Sequence, residues 1–211
     1  MDLPHAVSPG DGGRCYEIVS VDKFRDNVRT GLVALQSEKT DAINMSDQER
    51  CNKFLWAAFN GDIRTMENLL AQGVSTDCVD PKKGLSALHL AALNGFTETI
   101  KWLLVRKCSF LKTKNGFTAL HFAVLSLSKV ACALLIDHGC PLDKLILHSA
   151  LQANAIDCLQ YFLKLKAPIN EYDSIGLTPL HVAVNLDNIP ALYLLFEDKR
   201  LHLSVKTKNE G

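Results

Sequence analysis

Apolar and polar positions alternate along most of this chain with a helical period, in short blocks rather than long runs. One block reads Ala87-Leu88-His89-Leu90-Ala91-Ala92, another Ala119-Leu120-His121-Phe122-Ala123-Val124, and a third Pro179-Leu180-His181-Val182-Ala183-Val184. Each is followed by a second apolar block: Ile100-Lys101-Trp102-Leu103-Leu104, Cys132-Ala133-Leu134-Leu135-Ile136 and Leu192-Tyr193-Leu194-Leu195-Phe196. Spacing of this kind puts the apolar residues on one side of a helix. Gly95, Asn154 or Asp187 interrupts the pattern between blocks, as turn residues do. The pattern therefore predicts pairs of short helices joined by turns. Such a pair cannot bury its apolar side alone, whereas a stack of pairs can, and the stack is a solenoid.

The spacing of the blocks supports this. Gly84-Leu85-Ser86-Ala87-Leu88-His89 returns as Gly116-Phe117-Thr118-Ala119-Leu120-His121 and as Gly176-Leu177-Thr178-Pro179-Leu180-His181, with the histidines 32 and 60 residues apart. A weaker copy, Leu147-His148-Ser149-Ala150-Leu151, divides the longer interval into 27 and 33. A fixed period of this length marks a repeat architecture. The phrase T-P-L-H-x-A at this period resembles the ankyrin repeat, and Thr178-Pro179-Leu180-His181-Val182-Ala183 carries it in full. Ser86-Ala87 and Thr118-Ala119 depart modestly from it, but a hydroxyl at that position suits a helix N-cap.

The resemblance implies an all-α ankyrin-repeat solenoid of about five helix-turn-helix repeats with short hairpin turns, over residues 46–211. The repeats fall at about 46–82, 83–113, 114–143, 144–173 and 174–205, and 206–211 begins a further one, since Lys206-Thr207-Lys208-Asn209 parallels Lys112-Thr113-Lys114-Asn115. That parallel leads us to expect a short isoform or a fragment of a longer protein, with Leu192, Leu195 or their neighbours exposed at the last repeat. The first repeat lacks the histidine phrase. It opens with Ser46-Asp47-Gln48-Glu49, a capping box, and Asp47 to Arg50, Asn52 and Lys53 make one side polar, as a terminal repeat requires. Residues 1–45 lie outside the array. Their start has the Gly/Pro content of a disordered segment. About residues 20–36, with Val21, Phe24, Val28, Leu32 and Leu35 on one side, read as an amphipathic helix that either packs on the first repeat or docks a partner.

Charge and cysteine content narrow the function. The 211 residues carry 23 basic and 23 acidic side chains, so a global field for nucleic acid or anionic lipid is missing. No apolar run approaches the roughly 20 residues of a membrane-spanning helix, and the N-terminus lacks a secretory signal pattern. Seven cysteines, none in C-x-x-C spacing, argue for reduced thiols. The expected location is the cytoplasm, the nucleus or both.

Candidate chemistry is sparse. His89, His121, His148 and His181 share one repeat position; ligands on separate repeats stand roughly 10 Å apart, too far for one metal ion. The resemblance implies instead that each ring ties neighbouring turns together. No nucleophile elbow, phosphate loop or dinucleotide fingerprint occurs. We therefore expect no catalytic residue, no metal, no cofactor and no enzyme activity.

The resemblance implies a protein partner, bound by the turn tips and the concave face of the first helices. By position the tips include Lys82, Lys83, Lys114 and Ile175. The residues that follow the turn glycines are Leu85, Phe117 and Leu177. Those near the ends of the first helices are Phe59, Leu93, Leu125 and Leu186. If these apolar positions face solvent they line a binding strip; the alternative is that they shield one another between repeats. The lysines are either a solvated rim or a preference for an acidic, apolar peptide. Neither a nucleic acid nor a membrane is an expected partner. The turn before Leu147 is about six residues short of a 33-residue unit, which predicts a notch at the fourth repeat. Asn170 sits where ankyrin-like proteins are hydroxylated, or simply ties its turn. The expected role is a non-catalytic adaptor or scaffold; the alternatives are the targeting or regulatory region of a larger protein, such as a ubiquitin-ligase adaptor, or an enzyme inhibitor.

Overall fold

Ser46 sets the start of the array. Its hydroxyl accepts from the Glu49 amide at 3.2 Å while its own amide donates to the Glu49 carboxylate at 2.6 Å, and this reciprocal cap launches α1 (Asp47–Asn60). The coordinates are a computed structural model that describes residues 26–31, 33 and 46–203. Nine further helices follow: α2 (Ile63–Ala71), α3 (Ala87–Leu93), α4 (Thr97–Val105), α5 (Ala119–Leu125), α6 (Lys129–Asp137), α7 (Ile146–Gln152), α8 (Ile156–Lys164), α9 (Pro179–Asn185) and α10 (Ile189–Glu197).

They form five antiparallel pairs stacked in two layers. In one layer α1 packs on α3, α3 on α5, α5 on α7 and α7 on α9; in the other α4 packs on α6, α6 on α8 and α8 on α10. The core runs between the layers and is built from small and branched residues, such as Ala91, Ala123, Leu103, Leu135 and Leu159. The predicted solenoid is what the structure shows. Each pair turns through one left-handed residue: Gly61, Gly95, Leu127, Asn154 and Asp187 have φ of 73°, 68°, 56°, 52° and 48°. Glycine, Asn and Asp tolerate that region; leucine does so at a cost.

Hairpin turns join the pairs. Asp80 N donates to Leu85 O, Thr113 N to Phe117 O and Asp173 N to Leu177 O, each at 2.8 Å. Neighbouring tips are bonded to each other as well: Lys114 N donates to Lys83 O at 3.0 Å. Gly84 makes that approach possible, because a Cβ there would lie 3.2 Å from Lys114 N and its φ is +72°. The turn into the fourth pair is different. Only Leu145 N to Asp143 Oδ1 and Ile146 N to Asp143 O close it, so the hairpin bonding of the other turns is missing there, as the short spacing led us to expect.

One sequence expectation about the first repeat changes, and one about the preceding segment narrows. Asn52 is buried rather than part of the polar side, and it accepts from Gln48 Nε2 at 3.0 Å. Val28, in a helical stretch at residues 26–31, is 1% exposed and belongs to the same buried cluster as Phe54 and Leu55. This favours packing of that segment on the array. Val21, Phe24, Leu32 and Leu35, the glycine-rich start and the further repeat at 206–211 lie outside the described residues.

Candidate partner-binding surface

The histidine row shows how the repeats are tied. Ser86 N donates to His89 Nδ1 at 3.1 Å. A backbone N–H only donates, so Nδ1 is the acceptor and the ring proton sits on Nε2, which donates to Phe117 O in the next turn at 3.2 Å. His148 repeats this link, with Nε2 to Leu177 O at 3.0 Å. His121 does not: the shortened fourth turn offers no such carbonyl, and Asp143 Oδ1 stands 3.9 Å from its Nε2. His181 keeps the local half of the motif, with Thr178 N and Oγ1 at 3.2 and 2.7 Å from Nδ1. In the fourth pair Leu145 replaces the hydroxyl residue, and the buried Nδ1 of His148 has no hydrogen-bond partner.

Burial lowers the pKa of His89 to about 4, and burial likewise lowers His121 and His148 below the usual imidazole value. These rings are neutral struts. Among the described residues no three His, Cys, Asp or Glu side chains could hold a metal ion, and no helix is long and apolar enough to cross a membrane.

The candidate strip divides in two. Phe59, Leu85 and Leu93 are buried, at 7%, 3% and 0% exposure, so their expected solvent-facing position is corrected. The reason is stacking. Asn94 Nδ2 on α3 donates to Phe59 O on α1 at 2.7 Å, clamping the ends of the two helices together. Leu85, just before the Ser86 cap, turns into the core beside the β-bridge Val79–Ser86. These three belong to the inter-repeat packing. Phe117, Leu125 and Leu177 are half-buried, and Leu186 is exposed. Phe117 packs edge-on against His121 and Phe122.

Around this residue of apolar surface the tips are polar. Lys82, Lys83 and Lys114 are exposed, as is Ile175. Lys114 Nζ donates to Pro81 O at 2.6 Å, which holds it along the tip of the second repeat. Asn170 ties its turn: its Nδ2 donates to Arg200 O at 2.7 Å and its Oδ1 accepts from His202 N at 3.0 Å. Asp77 does the same three repeats earlier, accepting from Ser109 N at 2.7 Å.

The surface that the sequence located only loosely is the far side of the last pair. Of the residues expected to be exposed there, Leu195 is fully buried and Leu192 half-buried, while their neighbours Tyr193 and Phe196 are exposed, together with Val184 and Ile189. Register arithmetic could have found them. Val184 occupies the position of Ala92, Val124 and Leu151, which are 0%, 0% and 1% exposed, and is itself 54% exposed.

Comparison with known proteins accords with this geometry. A family model for ankyrin repeats (3 copies) matches residues 54–145 and 129–208. The chain belongs to the ankyrin-repeat family. Its relatives differ widely in size. It is 34% identical over 149 residues to L-asparaginase of Dirofilaria immitis, covering 67% of this chain and 25% of that protein. It is 33% identical over 82 residues to protein phosphatase 1 regulatory subunit 12A of Mus musculus, covering 38% of this chain and 8% of the relative. A putative ankyrin repeat protein of fowlpox virus, FPV223, is 32% identical over 111 residues, 50% of this chain and 79% of the viral protein. The chain thus spans a quarter or less of the two larger relatives. Ankyrin arrays are a protein–protein interaction module and in general non-catalytic.

Proposed function

We propose that this array is an adaptor or scaffold that binds a partner protein through its turn tips and the open edge of its first helices. The observation that carries the reading is the leftover surface after stacking: exposed Lys82, Lys83 and Lys114 beside half-buried Phe117, with exposed Ile175 and Leu186 further along. A cationic rim around partly open apolar side chains favours an acidic segment carrying apolar residues. Residence in the cytoplasm or nucleus belongs to the same proposal and is supported by the free thiols of the six described cysteines. A second reading, that the array recruits targets for a larger protein, is supported by the small share of L-asparaginase and of the phosphatase regulatory subunit that it matches.

The test is affinity capture from cell lysate with wild type beside two folded variants, Lys82→Glu/Lys83→Glu/Lys114→Glu and Leu125→Glu/Leu186→Glu. The expected result is that one set of proteins, enriched by wild type, drops out with both variants while their circular dichroism is unchanged. Retention of the same proteins by both would move the binding site elsewhere on the array.

A further inference from the structure

Two of the free cysteines meet in a cleft at the start of the array. Cys51 is on α1, and Cys78 lies in the turn that follows α2, 27 residues on. The Cys51 thiol donates to Val79 O and the Cys78 thiol to Cys51 O, each at 3.9 Å, which brings the two side chains side by side. Both line an open cleft of about 300 Å³ with Asp47, Arg50, Val74 and Ser75; Asp47 and Ser75 at its edge are exposed. Cys51 is itself only 8% exposed and meets solvent through this cleft, which no thiol besides these two lines among the described residues. Cys132 and Cys158 also meet, Sγ to Sγ 3.9 Å, but both are fully buried between α6 and α8. Burial pushes the Cys108 and Cys140 thiols up to about 12 and about 11, far from the thiolate form that reacts.

We propose that Cys51 and Cys78 are a peroxide-oxidisable dithiol, a modification site that closes as a disulfide between the first helix of the array and the turn leading into the second repeat. A small hydroperoxide fits the cleft, which a bulky oxidant does not need to enter. The Cys51 thiolate attacks the peroxide oxygen; an S–O bond forms, the O–O bond breaks, and the leaving hydroxide takes a proton to become water. Cys51 is then a sulfenic acid. Cys78 loses its proton to solvent and attacks the Cys51 sulfur; the S–S bond forms, the S–O bond breaks, and a second hydroxide leaves as water. Two thiols have lost two electrons and two protons, and one hydrogen peroxide has become two waters. The order of attack follows from the pair itself: the neighbouring Cys78 lowers the Cys51 thiol, against burial and Asp80, while Cys51 and burial raise Cys78. The sealed Cys132–Cys158 pair is an internal control with adjacent sulfurs and no entry.

The experiment treats the full folded chain with hydrogen peroxide over time, blocks remaining thiols, digests without reductant and quantifies linked peptides by mass spectrometry. Cys51–Cys78 linkage should form at least about tenfold faster than Cys132–Cys158 linkage, which must wait for the fold to open. In Cys78→Ser, Cys51 should accumulate as a sulfenic acid trapped by dimedone; in Cys51→Ser, Cys78 should give no trapped adduct. Equal rates for the two pairs, reduced Cys51 and Cys78 under conditions that leave the chain native, or linkage of either to Cys15 would each overturn the proposal. If a serine variant fails to fold, the wild-type rate comparison decides alone.

Discussion

Leu127 holds φ 56° in the turn between α5 and α6, where the other pairs use Gly61, Gly95, Asn154 and Asp187. A leucine there stores backbone strain, since its Cβ crowds the carbonyl. Its side chain is exposed and contributes little packing. Leu127→Asn should therefore stabilise the protein by about 0.5–1 kcal/mol, read as a shift in urea midpoint; a loss of stability would mean the side chain has packing value that its exposure hides. The histidines set the pH response. His89 has a pKa of about 4 in the fold and about 6.5 when unfolded. Between those values the unfolded chain binds more protons than the native one, so stability falls as pH falls and is fully present above pH 6.5 or so. The contribution of His89 alone is about 3 kcal/mol across that window, and the lowered His121 and His148 add in the same direction. Melting temperature should drop steadily from pH 7 to pH 4.5 and drop less in His89→Asn; a flat profile would contradict the neutral-strut description.

At the scale of elements, the hairpin tips depend on one another. Gly84 sits at φ +72° with Lys114 N of the next tip 3.2 Å from where its Cβ would be. Gly84→Ala should cost about 1–2 kcal/mol, whereas Gly116→Ala, with open space around the Cβ and φ +85°, should show the backbone part of that cost only; equal losses would mean tip contact is unimportant. This dependence also explains what the sequence revealed and what it hid. The helix pairs, their caps and the shortened fourth turn were legible because they rest on local spacing: Thr178 before His181, or Leu145 where a hydroxyl belongs. The exposure of Phe59, Leu85 and Leu93 was misjudged because it depends on a neighbour. Position after a glycine says that a residue leaves the hairpin, while whether it then meets water or the next helix is decided by stacking geometry. Likewise the Cys51–Cys78 meeting joins a helix to a turn 27 residues on, and no local spacing announces it.

For the molecule as a whole, exposed apolar side chains gather on the last pair, at Val184, Leu186, Ile189, Tyr193 and Phe196. Val184 and Phe196 stand in register with Leu151 and Leu163, which are 1% and 8% exposed. In sedimentation runs at rising concentration, Val184→Glu/Phe196→Glu should reduce self-association of this chain and leave its melting temperature nearly unchanged. Leu151→Glu, the same register inside the stack, should cost several kcal/mol because its charge has no water. Similar behaviour of the two variants would mean that the end is not open. The central claim is that stacking takes part of the apparent groove into the core and leaves the rest as surface for a partner. The most direct measurement is a pair of thermal melts followed by circular dichroism, on Leu85→Glu and Leu186→Glu. Leu85→Glu should lose its cooperative transition, or melt far below wild type, while Leu186→Glu should melt within a few degrees of it. Equal tolerance of glutamate at both positions would contradict the division of the groove and return Leu85 to the binding surface.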